Sequence, residues 1–120
     1  MLTGTMYDPN YIPLRGDVVD IDFDPQAGKE IWDVRPGLVI SSSDFHLKKN
    51  LAIICPITKT KRGGPFEIEI PKGLDVNGFI RTDQVKSPDW HARRAVFRCE
   101  IPYDTVIAVS QILETIIWGE

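Results

Sequence analysis

Gly16-Asp17-Val18-Val19-Asp20-Ile21-Asp22-Phe23-Asp24 alternates with a period of two. Val19, Ile21 and Phe23 fall on one side and Asp20, Asp22 and Asp24 on the other, so the stretch predicts a half-buried antiparallel β-strand. Pro25 and Gly28 end it. Before it, residues 1–13 carry Pro9 and Pro13 and show no period. They read as an N-terminal arm in which Met6 is a second candidate start, and residues 14–120 read as one domain. After it, residues 26–35 form a loop in which Ile31 and Trp32 are unusually apolar. Pro36 is expected to open a second strand, Leu38-Val39-Ile40, closing on Ser41-Ser42-Ser43. Residues 44–50, with Phe45 and His46, read as a polar connection.

Leu51 to Ile57 is a nearly continuous apolar run and predicts a central strand. Lys59 to Pro65 is a basic, Gly-rich turn. Phe66, Ile68 and Ile70 alternate with Glu67 and Glu69, a further half-buried strand, and Pro71 to Asn77 is a turn. Gly78–Val85 and Ala95–Cys99 also read as strands. The period then changes. Val106, Val109, Leu113 and Ile116, with Ile112 and Ile117 beside them, make a helical stripe. Pro102 suits a first turn, Asp104 complements the helix dipole, and Gly119 suits the stop. The apolar face is wider than one packing surface needs. Six short strands followed by one helix predict a mainly β fold, a small antiparallel barrel with a packed C-terminal helix.

A chain of 120 residues with 42% hydrophobic and 26% charged side chains has the composition of one soluble globular domain. The longest uninterrupted apolar run, Leu51 to Cys55, is far short of the ~20 residues of a membrane-spanning helix. Met1 to Asn10 lacks the basic start and apolar stretch of a secretion signal, so a cytoplasmic location without a membrane is expected. Cys55 and Cys99 then read as reduced core thiols. Net charge is −3, but it is unevenly spread. Residues 1–47 carry −5, residues 48–98 carry +6 and residues 99–120 carry −4. A +6 segment beside acidic flanks can form a phosphate-binding groove.

Most catalytic templates are absent. The sequence has no Gly-rich phosphate loop, no Cys-x-x-Cys and no nucleophile elbow, and His46 and His91 lack metal-ligand spacing. Polar residues at strand ends remain: Glu30, Arg35, Thr58, Arg81 and Asp83. Each also has a purely structural reading. Arg35 can pair with the acidic first strand, and Thr58 can close a turn. Arg81 and Asp83 can form an exposed ion pair on one strand face, and Glu30 can solvate a loop.

Their order and spacing resemble the MazF/PemK/Kid toxins, endoribonucleases of type II toxin–antitoxin systems. The matching run is Gly16-Asp17, Phe23-Asp24-Pro25, Gly28-x-Glu30, Arg35-Pro36 and Leu38-Val39-Ile40-Ser41. It continues with Phe45, Pro56-Ile57-Thr58, Pro65-Phe66-Glu67, Asp83-Gln84-Val85-Lys86-Ser87, Asp89-Trp90 and Arg93. The resemblance covers about residues 11–117. It implies an SH3-like barrel of the CcdB/Kid/MazF type, a homodimer and metal-independent, sequence-specific cleavage of single-stranded mRNA, with no cofactor. The 2′-hydroxyl would attack its own phosphate, leaving 2′,3′-cyclic phosphate and 5′-hydroxyl ends and arresting translation and growth.

The resemblance assigns catalysis to Arg35 and Thr58 and, by the Kid branch, to Arg81 and Asp83. Glu30 and Asp83 are the candidate bases. Lys29, Trp32, Lys59, Lys61, Arg62, Gln84, Lys86 and Arg93 are the expected RNA contacts. The Kid branch carries a histidine where this chain has Lys29, and Ile31-Trp32-Asp33-Val34 replaces a usually polar loop. An antitoxin with an acidic, disordered tail is the expected partner, and operator DNA is expected only through the toxin–antitoxin complex. The alternative is a non-catalytic barrel toxin or repressor that binds a protein, as the CcdB gyrase toxins do.

Overall fold

The structure, a computed structural model, describes residues 6–23 and 34–119. Among the described residues there are six strands: β1 (Asp17–Asp22), β2 (Val34–Val39), β3 (Ile54–Thr58), β4 (Glu67–Glu69), β5 (Phe79–Arg81) and β6 (Val96–Glu100). They form one antiparallel sheet in the order β4-β5-β3-β2-β1-β6. Two helices complete the fold, α1 (Ser43–Lys49) between β2 and β3 and α2 (Tyr103–Trp118) at the C-terminus. The expected mainly β fold with a C-terminal helix is what the chain adopts.

β1 alternates as expected, but it is not half-buried. Val19 and Ile21 enter one apolar cluster with Val39, Ala52, Ile54, Trp90 and Ala95. Val18 enters a second with Leu38, Cys55, Ile57, Ile80, Val106 and Val109. A central strand between β2 and β6 has both faces covered, so only Asp20 and Asp22 keep partial exposure. Before β1, Tyr11 packs edge-on against Phe97 and donates its hydroxyl to Asp17 Oδ2 at 2.5 Å. Asp17 Oδ2 also accepts the Leu14 N–H at 3.0 Å.

The other elements differ from expectation in instructive ways. β2 begins at Val34, so Pro36 lies inside the strand, opposite Asp20, rather than opening it. Residues 44–50 are mostly helical. Ser42 caps α1 by accepting the Phe45 N–H, and Asn50 closes it in the left-handed region at φ 56°. The run from Leu51 is strand only from Ile54. Before that, Ala52 N–H donates to Pro88 O and Leu51 bridges to Asp89. β5 stops at Arg81, and Thr82–Gln84 turns as a short 3₁₀ helix whose Thr82 donates through Oγ1 to Phe66 O.

α2 behaves as the stripe predicts at its start. Val106 and Val109 are buried, Leu113 packs beside them, and Gly119 ends the helix with its N–H on Thr115 O at 2.7 Å. The last turn is left outside the core, with Ile117 71% and Trp118 80% exposed. Cys55 and Cys99 are free thiols, and burial pushes Cys55 up to about 12, so it stays a protonated core group. Among the described residues no helix is long and apolar enough to cross a membrane.

Candidate active site

Two prolines stand side by side in the middle of the sheet. Pro56 on β3 pairs with Gly37, next to Pro36 on β2. Neither can donate a ladder hydrogen bond, and proline is otherwise kept to sheet edges. Both line a groove of about 930 Å³. The close pairing needs Gly37, where a Cβ would lie 2.5 Å from Ile54 Cγ2 and 2.7 Å from Phe23 Cζ.

Arg35 precedes Pro36 on β2 and lines this groove, exposed and with no side-chain hydrogen bond or ion pair to the described residues. Thr58 ends β3 and lines the same groove. Its Oγ1 accepts the Thr60 N–H at 3.2 Å, which closes the turn and leaves the hydroxyl proton to donate elsewhere. The structural and chemical readings of Thr58 are therefore compatible. Gly78 stands against it at φ 121°, where any Cβ would collide with the Thr58 carbonyl. Only glycine lets the two backbones approach this closely.

Arg81 also lines the groove, but it is held differently. Its side chain is 14% exposed and bonds Glu67 Oε1 at 2.9 Å and Asp83 Oδ2 at 3.1 Å. Arg81 and Asp83 do not share a strand face, because Asp83 sits in the 3₁₀ turn that follows β5. Lys59, Arg62 and Gln84 line the groove. Lys61 shares the exposed loop without lining it, and Lys86 is exposed while its backbone bridges to Ile54. Arg93 is also outside the lining and donates to Asp22 O at 2.8 Å. Lys29, Glu30 and Trp32 lie outside the described residues.

Sequence reasoning missed two groups here. Arg98 lines the groove from β6. The β1–β6 register passes from Val18 opposite Cys99 to Val19 opposite Phe97, which leaves Arg98 as the extra residue of a bulge. Bulges re-aim side chains in this way. Its Nη1 meets Asp20 Oδ1 at 3.2 Å. The sequence pattern places Glu67 on the polar side of a strand and in the Pro65-Phe66-Glu67 run without giving it a partner, yet its carboxylate is the main partner of Arg81. Desolvation raises the Glu67 carboxyl, but the Gly63 and Arg62 N–H groups and the Arg81 guanidinium hold it below the ordinary carboxylate range.

Five cations, Arg35, Lys59, Arg62, Arg81 and Arg98, therefore face one groove with Asp75 among its described lining residues. Arg81 and Arg98 are paired with carboxylates, so among the described residues the unneutralised charge belongs to Arg35, Lys59 and Arg62. The arrangement suits a polyanion, with a planar donor fork and a hydroxyl donor on adjacent strands.

Comparison with known proteins gives a consistent result. The family model described as PemK-like, MazF-like toxin of type II toxin–antitoxin system matches residues 14–117. The endoribonuclease toxin MazF of Escherichia coli (strain K12) is 38% identical over 85 residues, 71% of this chain and 76% of that protein. Crystalline MazF (Form-I) from Deinococcus radiodurans superposes with a TM-score of 0.81 at 36% identity, over 90% of this chain and 98% of that one. The MazE–MazF complex (Form-II) from the same organism gives 0.80 at 31% identity, over 90% and 97%.

Proposed function

The chain belongs to the PemK-like, MazF-like toxin family of type II toxin–antitoxin systems and is an endoribonuclease toxin, and we propose that the Arg35–Thr58 groove cuts single-stranded mRNA without a metal. The observation that supports this most is the guanidinium of Arg35, unpaired among the described residues, in the same groove as the Thr58 hydroxyl and the largely covered Arg81.

The chemistry follows from charge. The 2′-oxygen attacks the adjacent phosphorus, the P–O5′ bond breaks, and the products are a 2′,3′-cyclic phosphate and a 5′-hydroxyl. The five-coordinate phosphorus carries extra negative charge on its oxygens. Arg35 presents a planar fork to two of them and Thr58 donates one hydrogen bond. Arg35 itself does not act as the base, since its guanidinium stays protonated at working pH. Asp83 is the base candidate within the described residues, and Glu30 is the other. Lys29, Trp32, Lys59, Lys61, Arg62, Gln84, Lys86 and Arg93 are the proposed contacts along the RNA.

The cognate antitoxin is proposed to lay an acidic segment in the same groove, and the pair, rather than the toxin alone, to bind operator DNA. A homodimer in the cytoplasm is part of the same reading. The test uses an RNA oligonucleotide cut at one mapped bond. Replacing the single 2′-hydroxyl at that bond by hydrogen abolishes cleavage and leaves binding within about twofold, because DNA-like sugar removes the nucleophile alone. Cleavage of the deoxy-substituted bond refutes the mechanism.

A further inference from the structure

We propose that Glu67 is a positioning residue that fixes the basic loop and Arg81 together before RNA arrives, an inference that rests on the groove being the RNA site. Three donors converge on this one carboxylate. Oε1 accepts the Arg62 N–H at 3.1 Å and Arg81 Nη1 at 2.9 Å, and Oε2 accepts the Gly63 N–H at 2.9 Å. The Glu67 side chain is only 5% exposed.

The partners differ in kind. Arg62 and Gly63 belong to the loop between β3 and β4, which also carries Lys59 and Lys61. Gly63 and Gly64 follow each other in the left-handed region, at φ 79° and 96°, with open space where a Cβ would stand, and residues 59–66 are exposed. Such a loop has little packing of its own to hold it. Arg81 ends β5, directly opposite Glu67 in the β4–β5 register. One side chain thus couples a weakly packed cationic loop to a guanidinium in the groove wall. Ordering these cations in advance removes part of the entropy that RNA binding would otherwise cost.

Charge and position pull in opposite directions at this residue, which makes the idea testable. As a mere negative charge beside a polyanion site, Glu67 weakens RNA binding, and neutralising it tightens binding. As a clamp it strengthens binding. Glu67→Gln separates the two. Its amide oxygen still accepts from one side, but its NH₂ faces the Gly63 N–H or Arg81 as a donor against a donor. Glu69→Gln is the control, removing the same charge two residues along the strand, where Glu69 is exposed and meets Lys72 at 3.7 Å.

The experiment has two arms on the full chain. Amide exchange without RNA reads the clamp. In Glu67→Gln the Gly63 amide exchanges faster, approaching Lys61, while thermal unfolding stays close to wild type. Single-turnover cleavage of a short RNA reads the site. Glu67→Gln raises the half-saturating protein concentration about tenfold and changes the plateau rate much less, and Glu69→Gln leaves both near wild type or binds slightly tighter. Binding by Glu67→Gln that equals or exceeds wild type overturns the proposal, as does an unchanged Gly63 amide. A wild-type chain that cuts no RNA overturns the reading of the groove and this proposal with it, and is told apart because the failure is in the unmodified protein.

Discussion

Arg35 and Arg81 are both arginines on one groove, and their surroundings set different tasks. Arg35 is exposed, unpaired within the described residues and followed by a ring that fixes the backbone. Arg81 is largely covered and already spends its donors on Glu67 and Asp83. A guanidinium free to meet phosphate stabilises the charge that develops in the reaction. Arg35→Ala should therefore lower the single-turnover rate by ~10²–10³. Thr58→Ala should cost less, since a neutral donor is lost. Arg81→Ala removes the cation that offsets Glu67 and Asp83, leaving Glu67 held only by the Arg62 and Gly63 N–H groups, and should mainly weaken binding. The check is the plateau rate and half-saturation for each variant, measured with protein in excess. Loss of the plateau in Arg81→Ala with retention in Arg35→Ala would reverse the roles.

At the scale of elements, the close approach of the β5 entrance to the end of β3 is the feature that places Thr58. Gly78 and Gly73 both have positive φ, but only Gly78 has backbone against it. Gly78→Ala should cut the cleavage rate about tenfold or more by displacing Thr58. Gly73→Ala pays the same conformational penalty in open space and should leave cleavage near wild type, a comparison that initial rates decide. β1 and α2 were legible in the sequence because their periods of two and 3.6 run long enough to be read. α1 was not, since seven residues make only two turns, although Ser42 and Asn50 are ordinary cap residues. The early end of β5 was hidden because Thr82 looks like strand by propensity and turns through its bond to Phe66 O. Among the residues that line the groove, Arg35, Thr58 and Arg81 were legible. Glu67 and Arg98 were not, since each depends on a strand register, one cross-strand pair and one bulge, that residue types do not encode locally.

Across the whole molecule, His46 links three parts of the chain. It is fully buried, with Nδ1 2.7 Å from Pro13 O and Nε2 2.6 Å from Ser41 Oγ, which also accepts the Ile53 N–H. Pro13 O can only accept, so Nδ1 carries the proton and Nε2 accepts from Ser41. Burial lowers the pKa of His46 below its ordinary 6.5, aided by Arg15 and opposed by the Pro13 carbonyl and Asp17. The unfolded chain then takes up this proton more readily than the folded one. The contribution is complete above about pH 6.5 and is lost as pH falls through the folded-state value. Thermal unfolding should shift to lower temperature between pH 7 and 5, and His46→Gln should flatten that part of the curve. The exposed end of α2, with Ile116, Ile117 and Trp118, supports association through this region. Sedimentation near twice 13.6 kDa is expected, and a micromolar monomer that cuts RNA would contradict it. The chemistry proposed for this groove of arginines and a threonine is RNA cleavage by internal attack without a metal. Its most direct measurement is incubation of the purified chain with a long defined RNA in EDTA, followed by analysis of the ends. Cuts at a few sites with 5′-hydroxyl and 2′,3′-cyclic phosphate termini are expected; a requirement for magnesium, or 5′-phosphate products, would refute metal-free internal attack.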